Sequence, residues 1–282
     1  MIQFQRRGQP GAEIPLIIVD GKAWDLRPIA MDISPAFIER HSADDVVNQL
    51  HTLPRVSGVD SMRIGSPISR PRTVYCVGMN YAKHAAEGGA GPPKNLVVFL
   101  KPSHTLAGPN DDLVIPDGFA KVDWEVELAL VVGKRTWQLK PTDEPLNYLF
   151  GLTLANDVSD RYWQLEVSGG QWSKGKSGPG FLPLGPSIVP MTEISPNHLR
   201  LQSWVNGEVR QDSNTEDMIF SVADIIRDLS QFTVLEPGDI ILTGTPEGVA
   251  LSGRFSYLSD GDSLKLSIES LGSQHQRVTS IT

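Results

Sequence analysis

The chain contains only one cysteine, Cys76, among its 282 residues. A lone cysteine cannot form an internal disulfide, so a disulfide-stabilised secreted fold is excluded. Cys76 lies in the apolar run of residues 74–77, where a thiol more often fills the core than acts as a nucleophile. We therefore expect a reducing, cytoplasmic location.

Long apolar runs and an excess of basic residues are also missing. Arg6 and Arg7 are followed by Gly8-Gln9-Pro10-Gly11 rather than by the apolar segment of a signal peptide. No stretch approaches the roughly 20 apolar residues of a membrane span. The net charge of −8 argues against nucleic acid as a partner. We expect a protein with neither a membrane nor a nucleic-acid partner.

The order of predicted elements divides the chain into a small unit over residues 1–65 and a larger region over residues 73–282. In the first unit, strands at residues 2–4, 15–19 and 22–26 surround an Asp20-Gly21 hairpin turn, and a helix covers residues 34–50. A linker with two prolines follows at residues 64–72. Beyond it strands dominate, with helices near Asp160 and over residues 215–229. The pattern predicts an α+β, mainly β fold, built on a rolled, mainly antiparallel sheet with a small N-terminal α/β appendage.

Two glutamates stand out in the apolar stretch of residues 121–132. The period-2 alternation of a strand places Glu125 and Glu127 on one face, and apolar side chains from Trp124 to Val132 on the other. For Glu-x-Glu alone, a solvated outer face is the commoner explanation. The alternative is a divalent metal that both carboxylates ligate with a third oxygen from elsewhere.

A third carboxylate, Asp157, ends the predicted strand of residues 151–157. It precedes residues 158–165, which can form a helix, so it is either the N-cap of that helix or a metal ligand. Arg161 and Gln164 lie three residues apart on the predicted helix. A cationic fork and an amide suit a substrate carboxylate or keto oxygen, although a solvated surface pair is the default for an isolated arginine and glutamine.

His84 and Glu87 have the i, i+3 spacing of neighbours on a helical turn. The carboxylate could orient the imidazole for deprotonation of water, or the two could form a simple surface pair. The small and rigid residues Gly88-Gly89-Ala90-Gly91-Pro92-Pro93 follow at once and predict a mobile loop, as a lid over a site requires.

Residues 173–186 are rich in glycine and proline and predict a shaped loop rather than a helix or a central strand. Lys176 in this loop either projects into a pocket or is solvated. Gly175-Lys176-Ser177 is not followed by the helix of a phosphate-binding loop, so nucleotide binding is not predicted. Later, a strand at residues 240–243 leads to the tight turn of residues 244–248, whose small residues allow a ligand close to the backbone.

Together these segments resemble the fumarylacetoacetate hydrolase family from about Val74 to about Val249. The motifs that carry the resemblance appear in the family's order: Gly78-x-Asn80-Tyr81-x-x-His84-x-x-Glu87, Phe99-Leu100-Lys101-Pro102, Asp123-Trp124-Glu125-Val126-Glu127-Leu128, Asn156-Asp157-Val158-Ser159, Arg161-x-x-Gln164, Gly175-Lys176-Ser177, Pro183-Leu184-Gly185-Pro186, Asn206-Gly207-Glu208, Met218-Ile219-Phe220 and Gly244-Thr245-Pro246-x-Gly248.

The resemblance implies a rolled mixed β-sandwich with a metal at its mouth, and it assigns roles by position. It implies Mg²⁺ or Mn²⁺ on Glu125, Glu127 and Asp157. The pair His84 and Glu87 matches the family's water-activating residues on a lid. Lys176 matches a lysine that stabilises developing negative charge. The positions matching substrate contacts, or lying near them, are Arg161, Gln164, Thr245 and Lys101.

The activity implied by the resemblance is hydrolysis of a carbon–carbon bond in a small β-diketo acid of acylpyruvate, fumarylpyruvate or diketo-deoxy sugar acid type. A decarboxylase, isomerase or dehydratase of a 2-oxo acid could use the same metal-bound enolate. A non-catalytic metal- or metabolite-binding protein is the alternative from another class. The resemblance also implies a homodimer.

One segment departs from the family pattern. Relatives often have Phe-Asp-Thr where this chain has Gly178-Pro179-Gly180. The loss of a ring and of polar side chains predicts a wider pocket beside Lys176.

Overall fold

The computed structural model describes residues 1–87, 89 and 91–281. The chain begins with an antiparallel four-stranded sheet, in which each strand pairs with the next. Asp20 and Gly21 both have positive φ, 48° and 75°, as the predicted hairpin turn requires. The strands are β1 (Ile2–Arg7), β2 (Ile14–Val19), β3 (Lys22–Asp25) and β4 (Arg55–Val56).

The single helix predicted for residues 34–50 is wrong, because two helices occupy this segment: α1 (Pro35–Arg40) and α2 (Ala43–Asn48). Ser42 starts the second helix. Its side chain accepts the Asp45 N–H, and the Asp45 carboxylate accepts the Ser42 N–H at 3.1 Å. This capping box favours a new helix over continuation of the first.

Two further sheets form the larger region. The six-stranded sheet has the order β14-β11-β10-β17-β5-β6, and the five-stranded sheet the order β16-β15-β18-β19-β8. Their strands are β5 (Val74–Gly78), β6 (Val97–Lys101), β8 (Leu113–Ile115), β10 (Val126–Val132), β11 (Leu149–Asn156), β14 (Val189–Pro190), β15 (Arg200–Val205), β16 (Glu208–Asn214), β17 (Ile240–Leu242), β18 (Ser263–Ile268) and β19 (Gly272–Ser280).

Most neighbouring strands are antiparallel, but β17 pairs with β5, and β19 with β8, in parallel. Short strand pairs and helices complete the fold: β7 (Leu106–Ala107), β9 (Val122–Asp123), β12 (Ser159–Asp160), β13 (Leu182–Pro183), α3 (Ala82–Glu87), α4 (Trp172–Lys176) and α5 (Val222–Phe232). The predicted α+β, mainly β architecture with a mixed rolled sheet is confirmed.

Strand β10 is buried on both faces. Trp124, Val126 and Leu128 belong to a core that also contains Leu201 of β15 and Leu266 of β18. The alternate residues of the strand, Ala129 and Val131, face a second core, shared with the N-terminal sheet and helices. The predicted alternation is therefore confirmed, although the strand is interrupted at Trp124 and Glu125, between β9 and β10.

The N-terminal unit packs directly on the six-stranded sheet. Phe4 and Ile188 exchange two backbone hydrogen bonds of 2.9 Å, and the Phe4 ring lies 5.2 Å from that of Phe150. Even the predicted linker is bound, since the Gly65 N–H donates to the Arg6 carbonyl at 2.8 Å. The division into separate domains over residues 1–65 and 73–282 stays a prediction.

Three local predictions need correction. Residues 158–165 form strand β12 and then a π-helical turn, Tyr162–Glu166, rather than one helix. The predicted loop of residues 173–186 contains most of helix α4 and strand β13. The helix predicted for residues 215–229 is a short turn, Thr215–Asp217, followed by α5, because Ser221 caps a new helix with Asp224.

Within the described residues, no helix is both long enough and apolar enough to cross a membrane.

Candidate active site

Three buried carboxylates meet where β10 begins and β11 ends. The antiparallel register pairs Glu127 with Ala155, so Asp157 emerges beside Glu125. One oxygen from each of Glu125, Glu127 and Asp157 lies within 4.8 Å of the others, and all three residues are buried. The solvated outer face is thus wrong for the glutamates, and Asp157 does not cap a helix.

Three buried cations surround this cluster. Lys176 Nζ donates to Glu125 Oε2 at 2.7 Å and to Asp157 Oδ2 at 2.8 Å. Lys101 Nζ donates to Asp157 Oδ1 at 2.6 Å. Arg161 donates to Glu125 Oε1 at 2.6 Å and, through Nε, to Asp123 Oδ2 at 2.9 Å.

The charges nevertheless do not balance. Four carboxylates, those of Glu127, Asp123, Glu125 and Asp157, face three cationic side chains. Glu127 accepts a 2.8 Å hydrogen bond from the Gly244 N–H but has no lysine or arginine partner among the described residues. Burial and the neighbouring charges of Asp157 and Glu125 raise the pKa of Glu127 well above its usual value.

The opposite shift occurs at Glu125. Burial alone would raise its pKa, but Lys176 and Arg161 outweigh that effect and lower the pKa to about 2. The cluster therefore combines a carboxylate whose ionised form is strongly favoured with one that has no cationic partner among the described residues. Three converging carboxylate oxygens suit a hard divalent ion, which would supply that charge. A divalent metal is thus supported by the donor set.

His84 and Glu87 lie on one turn of α3, as predicted. The His84 Nδ1 atom is 3.7 Å from Glu87 Oε2, too far for a hydrogen bond, and no other described group bonds to it. Burial lowers the pKa of His84 below its usual 6.5, so the ring is neutral near pH 7. The predicted lid loop includes Gly88 and Ala90, which lie outside the described residues.

The carboxylate cluster opens into a cavity of about 220 Å³ with one polar and one apolar set of lining residues. The polar set is His84, Glu125, Glu127, Arg161, Gln164, Lys176 and Thr245. The apolar set is Val77, Gly78, Met79, Phe99, Leu165, Trp172 and Leu251.

Gln164 and Thr245 line the cavity, as the resemblance implied, but part of each side chain is already bonded. Gln164 Oε1 accepts a 2.8 Å hydrogen bond from Arg161, which leaves the Gln164 amide N–H groups as donors. The Thr245 hydroxyl donates to the Val126 carbonyl and accepts from Gln211. These partners fix the orientation of both side chains.

Lys101 does not line the cavity. It lies behind Asp157, where its ammonium group also donates to the Val158 carbonyl at 3.1 Å. Its ammonium group thus contacts the side of Asp157 away from the cavity, and the substrate contact implied by the resemblance stays a prediction.

The predicted widening beside Lys176 stays a prediction. None of residues 178–180 lines the cavity. A Cβ atom at Gly178 would lie 2.9 Å from the Phe181 ring, so this glycine serves the packing of the loop instead.

Asp123 is a site residue that the sequence reasoning missed. Its buried carboxylate accepts the N–H groups of Ala250 at 2.8 Å and Leu251 at 3.0 Å, besides Arg161 Nε. It therefore joins the arginine to the loop that carries Leu251. Its place in the same apolar stretch as the two glutamates was the signal that could have found it.

Trp172 was missed as well. A Cβ at Gly78 would lie 2.1 Å from the Trp172 ring, so only glycine admits the ring at this position. Phe99 packs edge-on against the same ring, with centroids 5.6 Å apart. No local sequence signal connects these three residues.

The fold and this site place the chain in an enzyme family: residues 73–279 match the family model described as fumarylacetoacetate (FAA) hydrolase C-terminal. The chain therefore belongs to the fumarylacetoacetate hydrolase family. It is 43% identical over 229 residues to the mitochondrial oxaloacetate tautomerase FAHD2A of Bos taurus, a match that covers 80% of this chain and 71% of the relative.

Solved structures extend the likeness over the whole chain. A fumarylacetoacetate hydrolase from Exiguobacterium antarcticum is 32% identical, with full coverage of both chains and a TM-score of 0.87. A 5-carboxymethyl-2-hydroxymuconate delta-isomerase from Mycobacterium smegmatis is 31% identical, with 99% of both chains covered and a TM-score of 0.77. The names of these relatives include a hydrolase, a tautomerase and an isomerase.

Proposed function

We propose that the chain is a divalent-metal-dependent enzyme that interconverts the keto and enol forms of oxaloacetate or a similar small 2-oxo acid. The observation that carries this proposal is the position of the partly buried His84 imidazole, whose pKa is lowered by burial, in the wall of the cavity that Glu125 and Glu127 also line. The reaction moves one proton between C3 and the carbonyl oxygen and needs no nucleophile. A single base and a cationic setting for the enolate are sufficient.

Glu125, Glu127 and Asp157 would hold the cation. When bound, it would supply Lewis-acid polarisation of a carbonyl group. We propose Mg²⁺ or Mn²⁺, because all three donors are carboxylates, which hard cations prefer.

The remaining polar residues provide donors for an anionic substrate. The Lys176 ammonium group has three N–H bonds, of which two are engaged by Glu125 and Asp157, so one is left for a substrate oxygen. The free amide N–H groups of Gln164 can bind a carboxylate. His84 would take the proton from C3 and return it to the oxygen.

Hydrolysis of an acylpyruvate is a second candidate, favoured by the apolar set of lining residues. Met79, Phe99 and Trp172 would suit an alkyl or aryl acyl arm better than the second carboxylate of oxaloacetate. In this reaction His84 would take a proton from water, whose oxygen adds to the distal carbonyl. Cleavage of the carbon–carbon bond then yields a carboxylic acid and pyruvate.

Assays on Mg²⁺- and Mn²⁺-loaded protein separate the candidates. Decay of the ultraviolet absorbance of enol-oxaloacetate measures tautomerisation, and chromatography of two acid fragments from a series of acylpyruvates measures hydrolysis. Released CO₂ would instead indicate a decarboxylase. We expect His84→Ala to reduce the true activity by roughly 10² to 10⁴, with the exposed His51→Ala as the matched control. If enol-oxaloacetate tautomerises no faster with the protein than in buffer alone, the first proposal is wrong.

Two proposals concern the whole protein. The lone buried cysteine favours a reducing compartment, which we take to be the cytoplasm, although the Bos taurus relative is mitochondrial by name. The homodimer implied by the resemblance is to be tested by sedimentation velocity.

A further inference from the structure

Helix α3, which carries His84, is firmly anchored at its start. The Asn80 side chain donates to the Thr243 carbonyl at 2.8 Å and accepts the Phe220 N–H at 2.8 Å. The Asn80 carbonyl accepts the Ile219 N–H at 2.7 Å. These bonds fix where the helix begins.

The last turn of α3 is held differently. In the described part of the chain, its polar contacts with the rest of the protein are made by Glu87. Glu87 Oε2 accepts the Gly248 N–H at 3.2 Å, and Oε1 forms an ion pair with Arg254. The carboxylate that was expected to orient His84 is thus engaged by the loop across from the helix.

Arg254 is held in position for this contact. Its guanidinium lies 5.4 Å from the centroid of the Phe255 ring, and Arg210 lies 4.7 Å from the same centroid. The loop also approaches its neighbours closely at Gly248, where a Cβ would lie 2.0 Å from the Arg210 carbonyl oxygen. The partner of Glu87 therefore also contacts an aromatic ring on its own side of the ion pair.

We propose that Arg254 is a positioning residue: by clamping Glu87 it holds the last turn of α3, and with it His84, against the cavity. Glu87 then joins the last turn of α3 to the opposite loop, in addition to facing the imidazole. The kinetic consequence rests on the proposed function, whereas the docking of α3 does not.

The first test is kinetic. Arg254 is about half exposed, so the pair should be worth a factor of about 1.5 to 5 in the equilibrium constant for docking of α3. Because the wild-type helix is docked, we expect Arg254→Gln to lower kcat/KM by no more than that factor and Arg254→Lys to restore most of the loss. Added salt should slow the wild type more than Arg254→Gln. The control is Arg200→Gln, which removes an ion pair with Asp212 whose arginine is equally exposed and neither of whose residues lines the cavity.

A double-mutant cycle identifies the route of the effect. If Arg254 acts through Glu87, Arg254→Gln should cause no further loss in a Glu87→Gln background. Additive losses would overturn the proposal.

The second test needs no substrate. Diethyl pyrocarbonate modifies neutral imidazole, and peptide mass spectrometry can report the rate at His84, with the exposed His51 as an internal standard. We expect the His84 rate to rise by about 1.5- to 5-fold in Arg254→Gln. An unchanged rate of His84 modification would overturn the proposed positioning role of Arg254, even if the enzyme is active. A faster rate in a protein that turns over no 2-oxo acid would uphold the clamp and refute the proposed function.

Discussion

Glu127 is the residue in which the metal requirement is most directly visible. Its neighbours Glu125 and Asp157 each have cationic partners at hydrogen-bond distance, whereas Glu127 accepts one backbone N–H among the described residues and has no cationic partner there. In the metal-free protein its ionised form is opposed both by burial and by like charge. The carboxylate that would bind the proposed cation is thus a cost to the stability of the metal-free fold.

We expect Glu127→Gln to have opposite effects with and without metal. The metal-free variant should melt at a higher temperature than the metal-free wild type, because the amide has no ionised form for burial and the neighbouring carboxylates to oppose. In saturating Mn²⁺ the order should reverse, since binding depends on ligand charge. Calorimetry of both forms checks this, with the exposed Glu269→Gln as control. A lower melting temperature for the apo variant would contradict the charge argument.

His84 should set the acid limb of the pH–rate profile. Because burial lowers its pKa below 6.5 and the neutral ring is the proposed base, kcat/KM should rise with pH through a midpoint below 6.5. Glu87 opposes this shift, so Glu87→Gln should move the midpoint to lower pH. Profiles of the wild type, Glu87→Gln and His84→Gln between pH 4.5 and 8 would provide the test; a limb that persists in His84→Gln belongs to another group.

At the scale of elements, the sequence is most informative where the signal is local. The alternation in β10 correctly separated its two faces, and Asp20-Gly21 correctly predicted a hairpin. The helix boundaries failed where Ser42 and Ser221 each start a new helix within an apolar pattern. Those capping boxes were readable in the sequence but were outweighed by the longer periodicity.

The site was predictable only in part because several of its contacts join residues that are far apart in the sequence. Strand spacing brings Glu125 and Glu127 to one face, and the family motifs indicated Asp157. The pairing of Lys101 with Asp157, or of Asp123 with the loop at Ala250, joins residues 56 and 127 positions apart. Such contacts depend on sheet order, which local patterns do not contain.

Asp123 connects three elements of the structure, and we expect its replacement to weaken metal binding. In Asp123→Asn, the side-chain N–H₂ is a donor that faces other donors, either the loop N–H groups or the Arg161 guanidinium. Arg161 then holds Glu125 less firmly. We expect Mn²⁺ affinity to fall by about 10- to 100-fold, as is typical when a group behind a ligand is lost. Isothermal titration calorimetry measures this, with the exposed Asp228→Asn as control and circular dichroism to verify the fold. Unchanged affinity would show that Arg161 is held without Asp123.

At the scale of the whole molecule, the N-terminal unit and the larger region share one apolar core. Phe4 and Phe37 pack with Phe150, and all three are buried. A core that spans both units should make them unfold together.

Phe4→Ala tests this coupling. Truncating a buried phenylalanine costs about 3 to 5 kcal/mol, and we expect that loss in a single unfolding transition of the whole chain. Urea titrations followed by tryptophan fluorescence and by circular dichroism should coincide. Phe232→Ala, which truncates a largely exposed ring, is the matched control. Two separate transitions would show that the units fold independently.

The position of β17 has a consequence for synthesis. This strand lies between β10 and β5 in the six-stranded sheet, although it follows both by more than a hundred residues. Until Ile240–Leu242 has left the ribosome, β5 and β10 each present an unpaired apolar edge, and Glu127 lacks the Gly244 N–H. The nascent chain therefore passes through a long aggregation-prone stage, in which chaperones that shield strand edges should raise the yield.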